Sequence, residues 1–219
     1  MNHYFCVMKH DIFIKHLTER LVQNLPGTEG HKKMEPITRR RLLAEIHHKK
    51  PPRQSAVTIV LFAEGDETRF LLMQRHEYPG VHSGQVSLPG GSVESGDRDL
   101  MFTALRETEE ETGIAANDIQ IIGKLTDLYI PPSNFDVQPF VGKIDGIPDL
   151  KPDAHEVQEL FSVSVNELIN DDAIGTDFIM FHDGSCVEVP CFRFSGYMVW
   201  GATAMILSEF RQIIREVMQ

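Results

Sequence analysis

Residues Leu88 to Ile114 read LPGGSVESGDRDLMFTALRETEEETGI, a glycine turn running into a helix that is both amphipathic and densely acidic. Met101, Ala104, Leu105 and Thr108 fall at i, i+3, i+4 and i+7, the spacing of a core-facing stripe. Glu107, Glu110 and Glu111 fall at i, i+3 and i+4 on another face, so three carboxylates converge. Asp97 or Asp99 can cap the start of this helix, and Gly113 sits where a helix closes on a left-handed residue.

Like charges at this spacing repel, each exposed pair costing on the order of a few tenths of a kcal/mol, and more when partly buried. A Glu-rich helix face is by itself commonly a solvated one. Here it is joined to Pro89-Gly90-Gly91, Arg106 and Gly113 at set offsets, which a merely soluble helix does not require. Carboxylates alone as ligands select hard cations such as magnesium or manganese. An ion of that kind neutralises phosphate oxygens and activates water.

Working outward, Ala56 to Phe62 and Phe70 to Gln74 read as strands, and Glu64-Gly65-Asp66-Glu67 between them as the turn of a hairpin. Further strands are expected at Gln85 to Leu88, Ile119 to Leu125, Val137 to Lys143 and Leu160 to Val163, with Val187 to Val189 and Phe192 to Phe194 flanking Pro190. Ser164-x-x-Glu167 is a capping-box pattern. The last helix carries Ala202, Met205, Ile206, Phe210, Ile213, Ile214 and Val217 on one stripe. Before the strands, Ile12, Ile14, Leu17, Leu21, Val22 and Leu25 form a helical pattern that Pro26-Gly27 ends. The basic stretch of Arg39-Arg40-Arg41 and His47-His48-Lys49-Lys50, around Leu42, Leu43 and Ile46 and ended by Pro51-Pro52, reads as a second helix and a linker. Its charges read as a solvated surface, or as groups that touch substrate phosphates. Helices before, within and after a run of strands predict the α/β class, an α/β/α sandwich around a mixed sheet.

The chain of 219 residues is 42% hydrophobic, enough for a sizeable core. A formal net charge of −11 argues against non-specific binding to nucleic acid or an anionic membrane, so an anionic substrate must meet local cations. Cys6, Cys186 and Cys191 are odd in number and scattered, which indicates neither a disulfide framework nor a zinc site. No apolar run approaches the roughly 20 residues that span a bilayer, and the first residues lack the pattern of a signal peptide. A soluble, cytoplasmic protein without nucleic-acid or membrane partners is expected, and Met8 reads as well as Met1 for its start.

Residues Gly91 to Ile114 resemble the Nudix box: Gly, five residues, Glu, seven residues, then Arg-Glu-apolar-x-Glu-Glu-x-Gly-apolar. Arg106, Glu107, Glu110, Glu111, Gly113 and Ile114 stand in their places, while Thr108 replaces the usual aliphatic residue. The first half is one residue longer, and Asp97 stands for the glutamate. This insertion is similar to the branch of Nudix enzymes that hydrolyse coenzyme A. The upstream LLMQRHEYPGVHSGQVSLPGG keeps that branch's Leu71, Leu72, Arg75, Gly84, Pro89, Gly90 and Gly91, and departs from it at Met73, His76, Gly80 and Leu88. PPSNFDVQPFVG and the later WGATAMIL also resemble it, so the likeness covers about residues 56–210.

The resemblance implies a Nudix-like α/β/α sandwich over 53–219, with 1–52 as an N-terminal helical extension. It implies that Glu107, Glu110, Glu111 and the Gly91 carbonyl hold Mg²⁺ or Mn²⁺ and that Arg106 orients a glutamate. Gly90 and Gly91 let the loop approach metal and phosphate closely. Glu156 is the candidate general base or a further ligand, with a solvated glutamate before a strand as the alternative. Arg75 and His82 are candidates for contacting the pyrophosphate or a 3′-phosphate. Asn134 and Phe135 are candidates for shaping the pocket, Phe135 alternatively as a packed aromatic. The implied reaction is hydrolysis of a nucleoside diphosphate derivative, with coenzyme A or acyl-CoA giving 3′,5′-ADP and 4′-phosphopantetheine. The alternatives are ADP-ribose, NADH or dinucleoside polyphosphates as substrates, or a catalytically silent nucleotide-binding module. Dimeric relatives suggest a homodimer by analogy.

Overall fold

The computed structural model describes residues 8–76, 84–180 and 184–219; His82 and Gly80, singled out above, lie outside them. The sheet is built on a hairpin of β1 (Arg53–Glu64) and β2 (Glu67–Arg75), whose turn places Gly65 at φ 61°. β1 is apolar along most of its length because both its faces are covered. Ile59 and Leu61 enter one core cluster, while Val60 and Phe62 enter another.

The two hairpin strands pair only from Leu61↔Phe70 to the turn. Beyond that point β3 (Val86–Ser87) pairs with β2, and β4 (Gly90–Ser92) pairs with the first half of β1. The glycine turn of the sequence is thereby wedged between two diverging strands. β5 (Gln120–Lys124) and β6 (Leu128–Ile130) pair with β7 (Phe135–Lys143), and β7 runs parallel to β1, which makes the sheet mixed. β8 (Val157–Ser164) pairs with the outer side of β2. A second, antiparallel sheet consists of β9 (Ile174–Met180), β10 (Cys186–Phe194) and β11 (Tyr197–Trp200). β10 runs unbroken through Pro190 although the proline suggested two strands. The pairing with β11 begins only at Cys191, so the missing N–H of Pro190 leaves no gap in that ladder.

Helices cover both faces. On one, α4 (Leu100–Thr112) lies against β1 and β4, with Ala104 packed on Ala56 and Phe140. On the other, Phe13 and Leu17 of α1 (His10–Leu21) and Phe210 and Ile213 of α6 (Gly201–Val217) share a cluster with Phe70 and Leu72. α2 (Thr28–His31) packs on α6, and α3 (Ile37–Glu45) leads toward β1. α5 (Val165–Ile169) follows β8, its N-cap Ser164 accepting the Glu167 amide at 3.0 Å, the first half of a capping box. α1 stops at Leu21, short of the pattern's end at Leu25, and leaves Val22 exposed. Among the described residues no helix is long and apolar enough to cross a membrane.

Candidate active site

The site is assembled by the loop 93–99 and α4, which hold the acidic helix on the glycine turn. Glu94 and Asp97 exchange hydrogen bonds, the Asp97 amide donating to the Glu94 carbonyl and the Glu94 amide to Asp97 Oδ2. Asp99 then caps α4 by accepting the Phe102 amide at 2.7 Å, and Gly113 ends the helix at φ 77°, both as expected. The buried Asp97 carboxylate receives Nε and Nη2 of Arg106, each at 3.0 Å, and the Thr103 hydroxyl at 2.8 Å. Hydrogen bonding to Arg106 holds Asp97 well below the usual carboxylate range. Arg106 also donates to the Ser92 carbonyl and bridges Glu107 (3.1 Å) and Glu110 (3.0 Å). Loop, strand β4 and helix are thus clamped by one guanidinium.

The acidic face is not a single face. Thr108 and Glu111 continue the buried line of Ala104, at i+4 and i+7 from it, so Glu111 goes inside at 2% exposure while Glu110 stays 57% exposed. Thr108, the departure from the family pattern, is buried beside Thr58, and the two hydroxyls lie 3.1 Å apart with the Ala104 carbonyl as a shared acceptor. Met101 and Leu105 of the predicted core stripe are only partly buried.

Glu111 Oε2 accepts the Gly90 amide at 2.7 Å, and its Oε1 accepts Arg75 Nη1 at 3.0 Å. Arg75 Nη2 reaches Glu156 Oε2 at 3.3 Å, which brings the candidate base to the edge of the site. Gly90 has φ 148°, and a Cβ there would collide with the Ala56 carbonyl oxygen, so the chain can pass only as glycine. A Cβ on Gly91 would run into the Glu107 carboxylate, which lies directly against that residue's backbone. Burial raises Glu111 to about 7, opposed by the Gly90 amide and by Arg75. Burial also raises Glu107, opposed by Arg106.

Among the described residues no group of three or more His, Cys, Asp or Glu side chains is arranged about a common point for an ion. The guanidiniums of Arg75 and Arg106 stand between the carboxylates instead. The donor set still fits a hard divalent cation: Glu107 and Glu111 are oxygen ligands seated on a glycine loop that has no side chain to block an approach.

A cleft of about 410 Å³ opens from Gly90, Gly91 and Arg75. Phe135 lines it, with the Arg53 guanidinium 3.9 Å from the ring centroid on the strand beside it. Asn134 shapes it only indirectly. At φ 54° its side chain donates to the Lys50 and Pro51 carbonyls and accepts the Tyr129 hydroxyl. Sequence reading missed Asp97 as the anchor of Arg106, although it lies inside the box. Of the basic stretch offered either as a solvated surface or as phosphate contacts, Arg39 lines the cleft; Ser87 and Trp200 also line it and were not singled out, because no spacing links them.

The sequence model of the NUDIX domain matches residues 52–180. "Uncharacterized Nudix hydrolase NudL" of Yersinia pestis (strain Pestoides F) is 31% identical over 160 residues, covering 73% of this chain and 79% of the relative. Among solved structures, a MutT protein from Methanosarcina mazei Go1 superposes with TM-score 0.47 at 22% identity, over 78% of this chain and 96% of that one. A C. elegans Ap4A hydrolase in a binary complex gives 0.45 at 24%, over 51% and 80%. Because the matched sequence takes in the glycine turn, the clamp and the acidic helix together, the chain belongs to the Nudix family and is a pyrophosphohydrolase.

Proposed function

We propose that this pyrophosphohydrolase cleaves coenzyme A or acyl-CoA at its diphosphate, releasing 3′,5′-ADP and (acyl-)4′-phosphopantetheine. The observation that carries the reading is the seating of Glu107 and Glu111 on Gly90-Gly91, which line a cleft of about 410 Å³ together with Arg75 and Arg39. Leu42, Ile130, Phe135 and Met205 make much of that cleft apolar, which suits a pantetheine arm and an acyl chain. The upstream signature with Arg75 supports the same substrate class.

Glu107, Glu110, Glu111 and the Gly91 carbonyl are the groups that would hold Mg²⁺ or Mn²⁺. When bound, a divalent ion supplies charge neutralisation at the phosphate oxygens and a lowered pKa for the attacking water. Arg106 keeps Glu107 and Glu110 in place from its anchor on Asp97. Arg75 orients Glu111 and can turn toward a diphosphate oxygen, and Glu156 can take the proton of the attacking water at a carboxylate oxygen. The apolar walls exclude bulk water around the scissile bond.

Incubation with Mg²⁺ and a panel of CoA, acyl-CoA, ADP-ribose, NADH and diadenosine polyphosphates, read by chromatography, tests the proposal. CoA or acyl-CoA should show the highest kcat/KM. Preferential cleavage of another member would move the substrate, and cleavage of none would reject the reading.

A further inference from the structure

The cleft lining contains two charged side chains among the described residues, Arg75 and Arg39. Arg75 is engaged by Glu111 of the acidic helix and Glu156 at the β8 edge. Arg39 lies on α3, ahead of the segment matched by the family, and it is the member of its arginine run that turns inward. Its side chain is 15% exposed, whereas Arg40 and Arg41 are 79% and 70% exposed.

A guanidinium carries five N–H donors in a planar fork. Nη1 of Arg39 donates to the Tyr129 carbonyl at 2.7 Å, and Nε forms an ion pair with Glu35 Oε1 at 3.5 Å, on the side chain's edge away from Nη1. Among the described residues no hydrogen-bond partner meets Nη2. Ser87 lines the same cleft with its hydroxyl buried and unpartnered. In a largely apolar wall the Nη2 donor of Arg39, with no partner of its own among the described residues, is a polar group left for a ligand to complete. In a chain of net charge −11, binding of an anion depends on such local cations.

We infer that Arg39 is a specificity-determining residue that receives a phosphate monoester carried by the substrate in addition to its diphosphate. The fork geometry favours phosphate, which it can hold through two parallel N–H···O bonds. The inference rests on the coenzyme A reading above, since the 3′-phosphate is the group on that substrate that meets the description.

The test is the ratio of kcat/KM for CoA to that for dephospho-CoA, which lacks the 3′-phosphate. Wild type should favour CoA by about tenfold or more, as expected for loss of one charge-assisted contact. Arg39→Gln, which keeps a donor for the Tyr129 carbonyl, should bring the ratio close to one, and Arg39→Lys should recover part of it. A merely structural role would lower both rates and leave the ratio unchanged, which would overturn the inference. So would an effect confined to acyl chains that end in a carboxylate. If wild type cleaves neither compound, the substrate proposal fails by itself. Calorimetry with 3′,5′-ADP and 5′-AMP then decides on Arg39: tighter binding of the bisphosphate, lost in Arg39→Gln, supports the inference, and equal binding contradicts it.

Discussion

The Gly90 amide donates to Glu111 Oε2 at 2.7 Å, so a strand wedged into the sheet and the buried end of the acidic helix are fixed to each other by one hydrogen bond. Without that amide and the Arg75 contact, a carboxylate at 2% exposure would have no compensation for its lost hydration. Glu111→Gln retains an oxygen that can accept from Gly90 and removes the charge. It should therefore fold, with an unchanged circular dichroism spectrum, and lose at least about a hundredfold in kcat, the scale of removing a major electrostatic group from a site. Near-normal turnover would show that Glu111 is structural.

The two glycines should separate fold from function. In Gly90→Ala the new methyl meets backbone, the Ala56 carbonyl, at a φ of 148° that alanine rarely adopts. In Gly91→Ala it meets the movable end of Glu107. The first variant should melt several degrees lower or fail to accumulate, and the second should melt near wild type while its activity falls. Melting curves and rates measured side by side check this.

Glu209, fully buried on α6, accepts the Gly27 and Thr126 amides and the Thr126 hydroxyl, and pairs with His31 at 3.3 Å. Burial alone would raise its pKa, but these hydrogen bonds outweigh burial and hold it below the ordinary value of 4.5. A depressed acid stabilises the fold above its unfolded pKa, and that contribution is lost as pH falls through the folded value. Glu209→Gln should cost about 2 kcal/mol near neutral pH. In urea titrations the gap from wild type should stay constant down to about pH 5 and narrow progressively as pH falls below 4.5. A gap that widens as pH falls below 4.5 would contradict this.

Metal removal gives a fourth test, with the sign set by Glu111. An acid raised to about 7 binds its proton more tightly in the folded state, so its contribution to stability is present below pH 4.5 and is lost as pH rises through 7. Magnesium that uses this carboxylate must displace the proton. In thermal shift measurements millimolar Mg²⁺ should raise Tm more at pH 8 than at pH 6. EDTA should abolish the gain, and Glu111→Gln should lack it.

Much of the architecture was legible because periodicity reports burial. Alternation and apolar runs located β1, β2 and β7, and the stripe from Ala202 to Val217 located α6. The box located Glu107, Arg106 and the glycine turn. It did not reveal that Glu111 is buried and Glu110 exposed, because that depends on how far α4 rotates against Thr58 and Ala56. Asp97 reads as a loop acid until the turn at Glu94 aims it at Arg106. Glu209 sits beside an apolar stripe, where a polar residue reads as solvated, until α2 and the segment at Thr126 close over it. Arg39 and Trp200 reach the cleft from opposite ends of the chain, a convergence that no local pattern encodes.

The most direct test of the central claim is magnesium-dependent hydrolysis of CoA by wild type and Glu111→Gln, with both products quantified by chromatography. The account predicts 3′,5′-ADP and 4′-phosphopantetheine in equal amounts from wild type, none after EDTA, and at least about a hundredfold less from the variant. Equal turnover by the two proteins, or turnover indifferent to EDTA, would contradict it.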